Sequence, residues 1–182
     1  MINVKHQSEG TPPKGEFLTL VFHVTNTGDS AIIGYRAISN PGNFFTDVSG
    51  TTALVTVTKG QTYTFKVRAT NTEGPSIYSS PSGSILFPAT VPGVTSGSSS
   101  YDDPNINVYW IPPEDDGGAT IDAYKIKSYK NNVFERQDIF DGETFNWLYE
   151  SPTSGSYTFT IFARNAIGYS AESAPTDPVV VP

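Results

Sequence analysis

Apolar and polar side chains alternate along two similar stretches of the chain. From Tyr63 to Ala69 every second side chain is apolar, with threonine, lysine or arginine between, and the same alternation runs from Tyr157 to Ala163. A period of two residues predicts a β-strand with one buried face. Further strands are predicted by the same pattern at Phe17–Val24, Ile33–Ser39, Thr52–Thr58, Asn105–Ile111, Ala123–Tyr129 and Val133–Asp138.

The two stretches belong to an internal repeat. Tyr63–Asn71 aligns with Tyr157–Asn165 at an offset of 94 residues, and upstream Tyr35 aligns with Tyr124 at an offset of 89. The change of offset indicates that the second copy has about five additional residues between these anchors. Two copies of this size predict two domains, each large enough for a small core of its own.

The domain boundary is predicted at the short connector between Pro88 and Pro92, giving domains 1–88 and 89–182. Turn-forming Gly, Pro, Asn and Asp residues separate the short strands, and no segment has helical periodicity. The predicted fold class is therefore all-β: two tandem seven-stranded antiparallel β-sandwiches of the immunoglobulin-like kind. The first strand is expected within Ile2–Pro13.

Segments of the second copy carry a resemblance to a known family. Val108–Pro113 and Asp115–Gly118, together with Tyr157–Asn165 and the Gly168 that follows, resemble parts of a fibronectin type III domain. The first copy is similar to the same family from Ile32 to about Ser84. It departs upstream, where it lacks the Trp-Ile-Pro-Pro sequence of the second copy.

The resemblance implies structural roles for several aromatic residues. Trp110 is expected to lie across its core, and Tyr63 and Tyr157 are expected to direct their hydroxyls back to the preceding loop as tyrosine corners. The residues expected to form the structural core are Trp110, Tyr35, Tyr63, Phe65, Tyr124, Tyr157, Phe159 and Ile161.

Charge is divided unevenly between the two copies. Residues 1–89 carry 6 Lys/Arg and 5 Asp/Glu, a net charge of +1, whereas residues 90–182 carry 5 and 13, a net charge of −8. An acidic chain without a basic stripe is a poor nucleic-acid binder, so no nucleic-acid partner is expected. No apolar run has the length of a membrane span, so no membrane insertion is expected.

The chain offers little for catalysis or for a cofactor. It has no cysteine and only two histidines, which excludes disulfides and thiolate zinc sites. The acidic runs Asp102–Asp103 and Glu114–Asp116 could supply oxygen ligands for calcium, but they are expected at opposite ends of the second sandwich. Neither His6 nor His23 has a recognisable partner, so we expect no enzyme activity and no cofactor.

Aromatic residues and turn tips are the candidate contact sites. Phe145, Trp147 and Tyr149 alternate on a predicted strand and are interpreted mainly as core. The candidate contact residues in loops are Phe44, Phe45, Glu73, Gly74, Ile167 and Tyr169.

The Ser-, Thr-, Gly- and Asn-rich sequence resembles that of fibronectin type III domains in bacterial secreted proteins and tailed-phage virions. With no visible signal peptide, the leading hypothesis is a virion protein made in the host cytoplasm, decorating capsid or tail, with virion proteins, cell-surface proteins or surface glycans as partners. The alternative is an extracellular carbohydrate-binding or spacer module of a bacterial enzyme or adhesin. A third hypothesis is a cytoplasmic eukaryotic scaffold repeat.

Overall fold

The computed structural model describes residues 2–4, 16–23 and 30–182, and the chain divides into two compact units, Met1–Pro88 and Ala89–Pro182. In the described residues the regular elements are β-strands. Each unit is a sandwich of two antiparallel sheets, so the predicted fold class is confirmed.

The described residues of the first unit form eight strand segments. They are β1 (Ile2–Val4), β2 (Glu16–Phe22), β3 (Ile32–Asn40), β4 (Phe45–Val48), β5 (Thr52–Val57), β6 (Gln61–Asn71), β7 (Gly74–Pro75) and β8 (Ile85–Phe87). One sheet has the order β1-β2-β5, and the other has the order β4-β3-β6-β7, with β8 also paired to β6. β1 lies within the range predicted for the first strand, and the rest of that range, 5–13, lies outside the described residues.

The second unit repeats this arrangement. Its strands are β9 (Ser96–Asp102), β10 (Asn105–Ile111), β11 (Ala123–Lys130), β12 (Val133–Asp141), β13 (Asn146–Tyr149), β14 (Gly155–Asn165), β15 (Gly168–Tyr169) and β16 (Val179–Val181). The sheet orders are β13-β10-β9 and β12-β11-β14-β15, with β16 paired to β14. The predicted strands are confirmed within one to three residues at their described ends. β4 and the serine-rich β9 were not predicted, because neither has a recognisable alternation.

Each unit has its own apolar core between its two sheets. In the second unit Trp110 is 3% exposed and packs near Tyr124, at 5.8 Å between ring centroids. In the first unit Phe65 is fully buried, and the ring of Tyr63 packs edge-on against Phe87 at 5.8 Å. Burial of these rings removes a large apolar area from water and offsets much of the ordering cost of a small domain.

The last strand of each sandwich is interrupted, which divides the predicted seventh strand into two segments. Between β15 and β16 the chain follows β14 through three side-chain hydroxyls placed every third residue: Ser170, Ser173 and Thr176. Each of the three donates its backbone N–H to a β14 carbonyl and accepts the N–H of that same β14 residue on its side-chain oxygen. The hydroxyl thus replaces the backbone carbonyl that an ordinary strand would offer.

The first unit has the same arrangement along β6. Ser76, Ser79 and Ser82 accept the N–H groups of Ala69, Val67 and Phe65 at 3.0–3.1 Å. We call these two sets the hydroxyl ladders. They satisfy N–H groups of the two central strands, of which those of β14 are buried, and fix the segments that follow the β6–β7 and β14–β15 turns.

Candidate functional site

The predicted contact residues of the first unit lie at opposite ends of its sandwich. β3 and β6 are antiparallel, with Asn40 beside Thr64 at one end and Ile32 beside Asn71 at the other. The turn that leads to Phe44 and Phe45 follows Asn40, whereas Glu73 and Gly74 follow Asn71. The two groups therefore cannot contribute to one site.

The side chains of Phe44 and Phe45 are only partly exposed, and Phe45 contacts a neighbouring side chain of its own unit. Phe44 is 39% exposed and Phe45 is 59% exposed. The Arg36 guanidinium lies 4.4 Å from the ring centroid of Phe45 and forms a two-point ion pair with Asp47, at 2.6 and 2.7 Å. Hydrogen bonding to Arg36 lowers the pKa of the Asp47 carboxyl.

In the second unit the β14–β15 turn is held by the buried side chain of Asn165. Its Oδ1 accepts the N–H groups of Ile167 and Gly168, and its Nδ2 donates to the carbonyls of Thr90 and Asp116 at 2.7 Å. This network presents Ile167, which is 55% exposed, at the tip of the turn. Tyr169, in contrast, lies over the outer face of the sheet rather than at the tip.

The expected core residues lie between the sheets, although Tyr35 is only half-buried and packs at the margin. The hydroxyl of Tyr157 donates to the carbonyl of Thr153 at 2.8 Å. The hydroxyl of Tyr63 accepts the backbone N–H of Thr58 at 3.1 Å and contacts the Thr58 Oγ1 atom at 2.7 Å. Both tyrosines therefore tie the start of their strand to the preceding loop.

The outer face of the sheet containing β11 and β14 carries stacked cations and aromatic rings. The Nζ atom of Lys125 lies 4.0 Å from the ring centroid of Phe162 and 4.2 Å from that of Tyr169. Lys127 lies 4.7 Å from Phe162, and Arg164 lies 5.7 Å from Tyr169. Such cation–π contacts hold long side chains against the sheet. These cation–π contacts were not predicted from the sequence, because they form only where strands that are distant in the chain pair with one another.

A shallow groove opens on this same face. It has a volume of about 420 Å³ and is lined by Tyr129, Asn132, Thr158, Thr160, Glu172, Ser173 and Pro175. We call it the Glu172 groove. The Oε1 atom of Glu172 accepts hydrogen bonds from the Thr160 hydroxyl at 2.7 Å, the Tyr129 hydroxyl at 3.2 Å and the Lys127 ammonium at 3.3 Å. These bonds, with Thr160 the largest contributor, lower the pKa of Glu172.

The edge between β12 and β13 contains a second polar cluster. The Arg136 guanidinium lies 4.4 Å from the ring centroid of Tyr149 and pairs with Asp138 at 3.1 Å. The Tyr149 hydroxyl donates to the Glu135 carboxylate. Burial of the ring, followed by this hydrogen bond, raises the pKa of Tyr149 to about 12. Charges that point inward at a sheet edge oppose pairing with a further strand.

The acidic runs lie at opposite ends of β10, as predicted. Asp102 and Asp103 precede the strand, and the loop with Asp115 and Asp116 follows it. Asp115 and Asp116 accept the N–H groups of Gly117 and Gly118 and act as turn formers. Within the described ranges no group of three His, Cys, Asp or Glu side chains is placed to hold a metal ion, and no helix is long and apolar enough to span a membrane.

Comparison with solved structures decides the fold. The chain matches the FN1–FN3 domains of chicken CNTN1 with a TM-score of 0.55 at 18% identity, over 98% of this chain and 64% of that one. The fold is that of tandem fibronectin type III domains. A two-domain fibronectin type III segment of chicken tenascin matches with a TM-score of 0.49 at 18% identity, over 100% of this chain and 98% of that one.

Sequence comparison finds relatives that are much longer than this chain. Titin from Drosophila melanogaster is 29% identical over 141 residues, 75% of this chain and 1% of titin. A Kelch domain-containing protein from Saccharolobus solfataricus is 33% identical over 153 residues, 82% of this chain and 19% of that protein. The chain thus spans a small part of these relatives. No family model matches it.

Proposed function

We propose that the chain is a non-enzymatic structural and binding module. The observation that carries this proposal is the position of its exposed apolar side chains. Ile77, which is 92% exposed, follows the β6–β7 turn, and Ile167, which is 55% exposed, lies at the β14–β15 turn. The first hydroxyl ladder anchors the segment of Ile77 through Ser76, and the side chain of Asn165 holds the turn of Ile167. Binding residues are often found on loops that a rigid scaffold positions.

We further propose that the module belongs to a tailed-phage virion, where it decorates capsid or tail and contacts virion or cell-surface proteins. The support is its Ser-, Thr-, Gly- and Asn-rich turns, which resemble those of phage fibronectin type III domains. The near-neutral first domain would attach to the particle, and the second, with its net charge of −8, would stay solvated.

Purified particles provide the test of virion membership. Peptides of the chain should be found by mass spectrometry in particles from the producing culture, and deletion of its gene should remove a surface density in electron micrographs. A control preparation with a deleted non-structural gene should keep that density. Particles that lack these peptides would show that the virion proposal is wrong.

The contact role has a separate test. Ile167→Ser and Ile77→Ser should reduce retention of the purified chain on intact particles or host cells, whereas Leu86→Ser, at a 65% exposed site on β8, serves as the matched control. Equal retention of all three variants would contradict the proposed role of the turns.

A second candidate is an extracellular carbohydrate-binding or spacer module of a bacterial enzyme or adhesin. The Glu172 groove favours it, because the groove combines an aromatic ring with hydroxyl, amide and carboxylate groups. Genes for hydrolases or sortases beside this gene would support the extracellular module, and genes for capsid and tail proteins would support the virion.

A further inference from the structure

The Glu172 groove is a shallow depression, open to solvent, that combines apolar and polar groups. Its volume of about 420 Å³ leaves room for part of a small ligand to lie against the sheet. The ring of Tyr129 and the pyrrolidine of Pro175 supply apolar surface. Thr158, Asn132 and Glu172 supply groups that can form hydrogen bonds.

The carboxylate of Glu172 is held in position by its neighbours. All three hydrogen bonds described for it, from Thr160, Tyr129 and Lys127, reach Oε1. None of these donors uses Oε2, which keeps its acceptor capacity for hydroxyl groups of a ligand. A carboxylate that is already oriented loses little conformational entropy when a ligand binds.

This network is not required by the fold, because the first unit folds without it. At the aligned positions the first unit keeps the groove's supporting residues Thr64, Ser79 and Pro81, which match Thr158, Ser173 and Pro175. The four residues of the network, Lys127, Tyr129, Thr160 and Glu172, are replaced there by Ile38, Asn40, Lys66 and Tyr78.

The charges around the groove select the class of ligand. Lys127 lies 3.3 Å from the Glu172 carboxylate and compensates much of its charge, so a cationic ligand gains little. An anionic ligand would meet both Glu172 and a domain with a net charge of −8. The groove therefore favours a neutral ligand, whose hydroxyl groups can donate hydrogen bonds to Glu172 and whose apolar face can pack against the ring of Tyr129.

We propose that the Glu172 groove binds a neutral saccharide, with ligand hydroxyls donating to Oε2 of Glu172 and a sugar face against the ring of Tyr129. The inference rests on the proposed binding role of the module and is independent of whether the module belongs to a virion. It assigns sugar binding to the second domain alone.

Nuclear magnetic resonance titration of the full chain tests the site directly. The probes are glucose, galactose, mannose and N-acetylglucosamine, each at up to about 50 mM, because a single sugar ring in a shallow site binds with a Kd in the millimolar range. At least one probe should shift the backbone amide signals of Tyr129, Thr160 and Glu172. The aligned amides of the first domain should not move.

Glu172→Gln should weaken binding of that probe about tenfold, since a charge-assisted hydrogen bond is replaced by a neutral one. Glu143→Gln, which alters an exposed carboxylate in the turn between β12 and β13 of the same domain, is the matched control and should bind as the unchanged chain does. Tryptophan fluorescence verifies that both variants remain folded.

Three results would overturn the inference: no probe shifts the groove amides, the shifts lie elsewhere, or Glu172→Gln binds as tightly as the unchanged chain. Any of these together with detection of the chain in particles would leave the virion proposal standing. Sugar binding by a chain that is absent from particles would support the saccharide inference and show that the virion proposal is wrong.

Discussion

Removal of one hydroxyl from the second hydroxyl ladder has a cost that can be worked out from the structure. Ser173 is 5% exposed, and its Oγ accepts the N–H of the fully buried Ile161 at 2.9 Å. The same hydroxyl donates to the carbonyl of Ala174 at 2.8 Å. Ser173→Ala removes both bonds with almost no change in side-chain volume.

The two groups that lose a partner are affected differently. Ala174 is exposed, so water can replace the lost donor to its carbonyl. The N–H of Ile161 is buried between β11 and the ladder segment and is left without an acceptor, which costs about 1–3 kcal/mol. We therefore expect the free energy of unfolding of the second unit to fall by about 2 kcal/mol, or its Tm by about 8–16 °C for a unit of this size.

Both tryptophans of the chain, Trp110 and Trp147, lie in the second unit, so tryptophan fluorescence during urea unfolding of the full chain reports on that unit. Ser98→Ala, at an exposed position of β9, is the control and should not move the transition. Amide hydrogen exchange at Ile161 should accelerate in Ser173→Ala. A midpoint equal to that of the control would refute the argument that the hydroxyl replaces a strand carbonyl.

Three further changes should alter stability, each measured by the same fluorescence transition. Tyr157→Phe removes the hydrogen bond to the preceding loop and should cost about 1 kcal/mol; an unchanged midpoint would contradict the tyrosine corner. Burial and the hydrogen bond to Glu135 raise the pKa of Tyr149 to about 12 from the usual 10.0, so this tyrosine ionises first in the unfolded chain. Its contribution to stability should be constant below about pH 10 and fall by roughly 2–3 kcal/mol toward pH 12, and the decrease above pH 10 should be smaller in Tyr149→Phe. Gly97→Ala would place a Cβ 2.5 Å from Cδ1 of Ile161 and should cost about 1–3 kcal/mol, so unaltered stability would indicate a looser core.

Strand periodicity is a local property, and the sequence therefore predicted most strands. Alternation from Tyr63 and from Tyr157 places one side-chain face inward whatever the partner strands are, because successive side chains of an extended chain point to opposite faces. The repeat at offsets of 94 and 89 also appears in the pairing of the strands: Tyr35 lies beside Ala69, and Tyr124 lies beside Ala163.

The last strand of each sandwich illustrates what local pattern could not predict. Ser170, Ser173 and Thr176 are spaced by three residues, which matches neither the strand period nor the helical one. The spacing acquires its meaning only beside β14, whose N–H groups need acceptors. A polar residue that appears suited to a loop is in fact buried against a central strand.

By itself, the sequence determined that this protein forms β-strands with one apolar face, in two similar copies. Only the tertiary structure decided which distant residues meet. Tyr129, Thr160 and Glu172 come together because antiparallel pairing of β11 with β14, and of β14 with the ladder segment, sets their register. The same pairing separates Phe45 from Gly74 to opposite ends of the first unit. Register depends on hydrogen bonds and packing between segments far apart in the chain, which a local pattern does not contain.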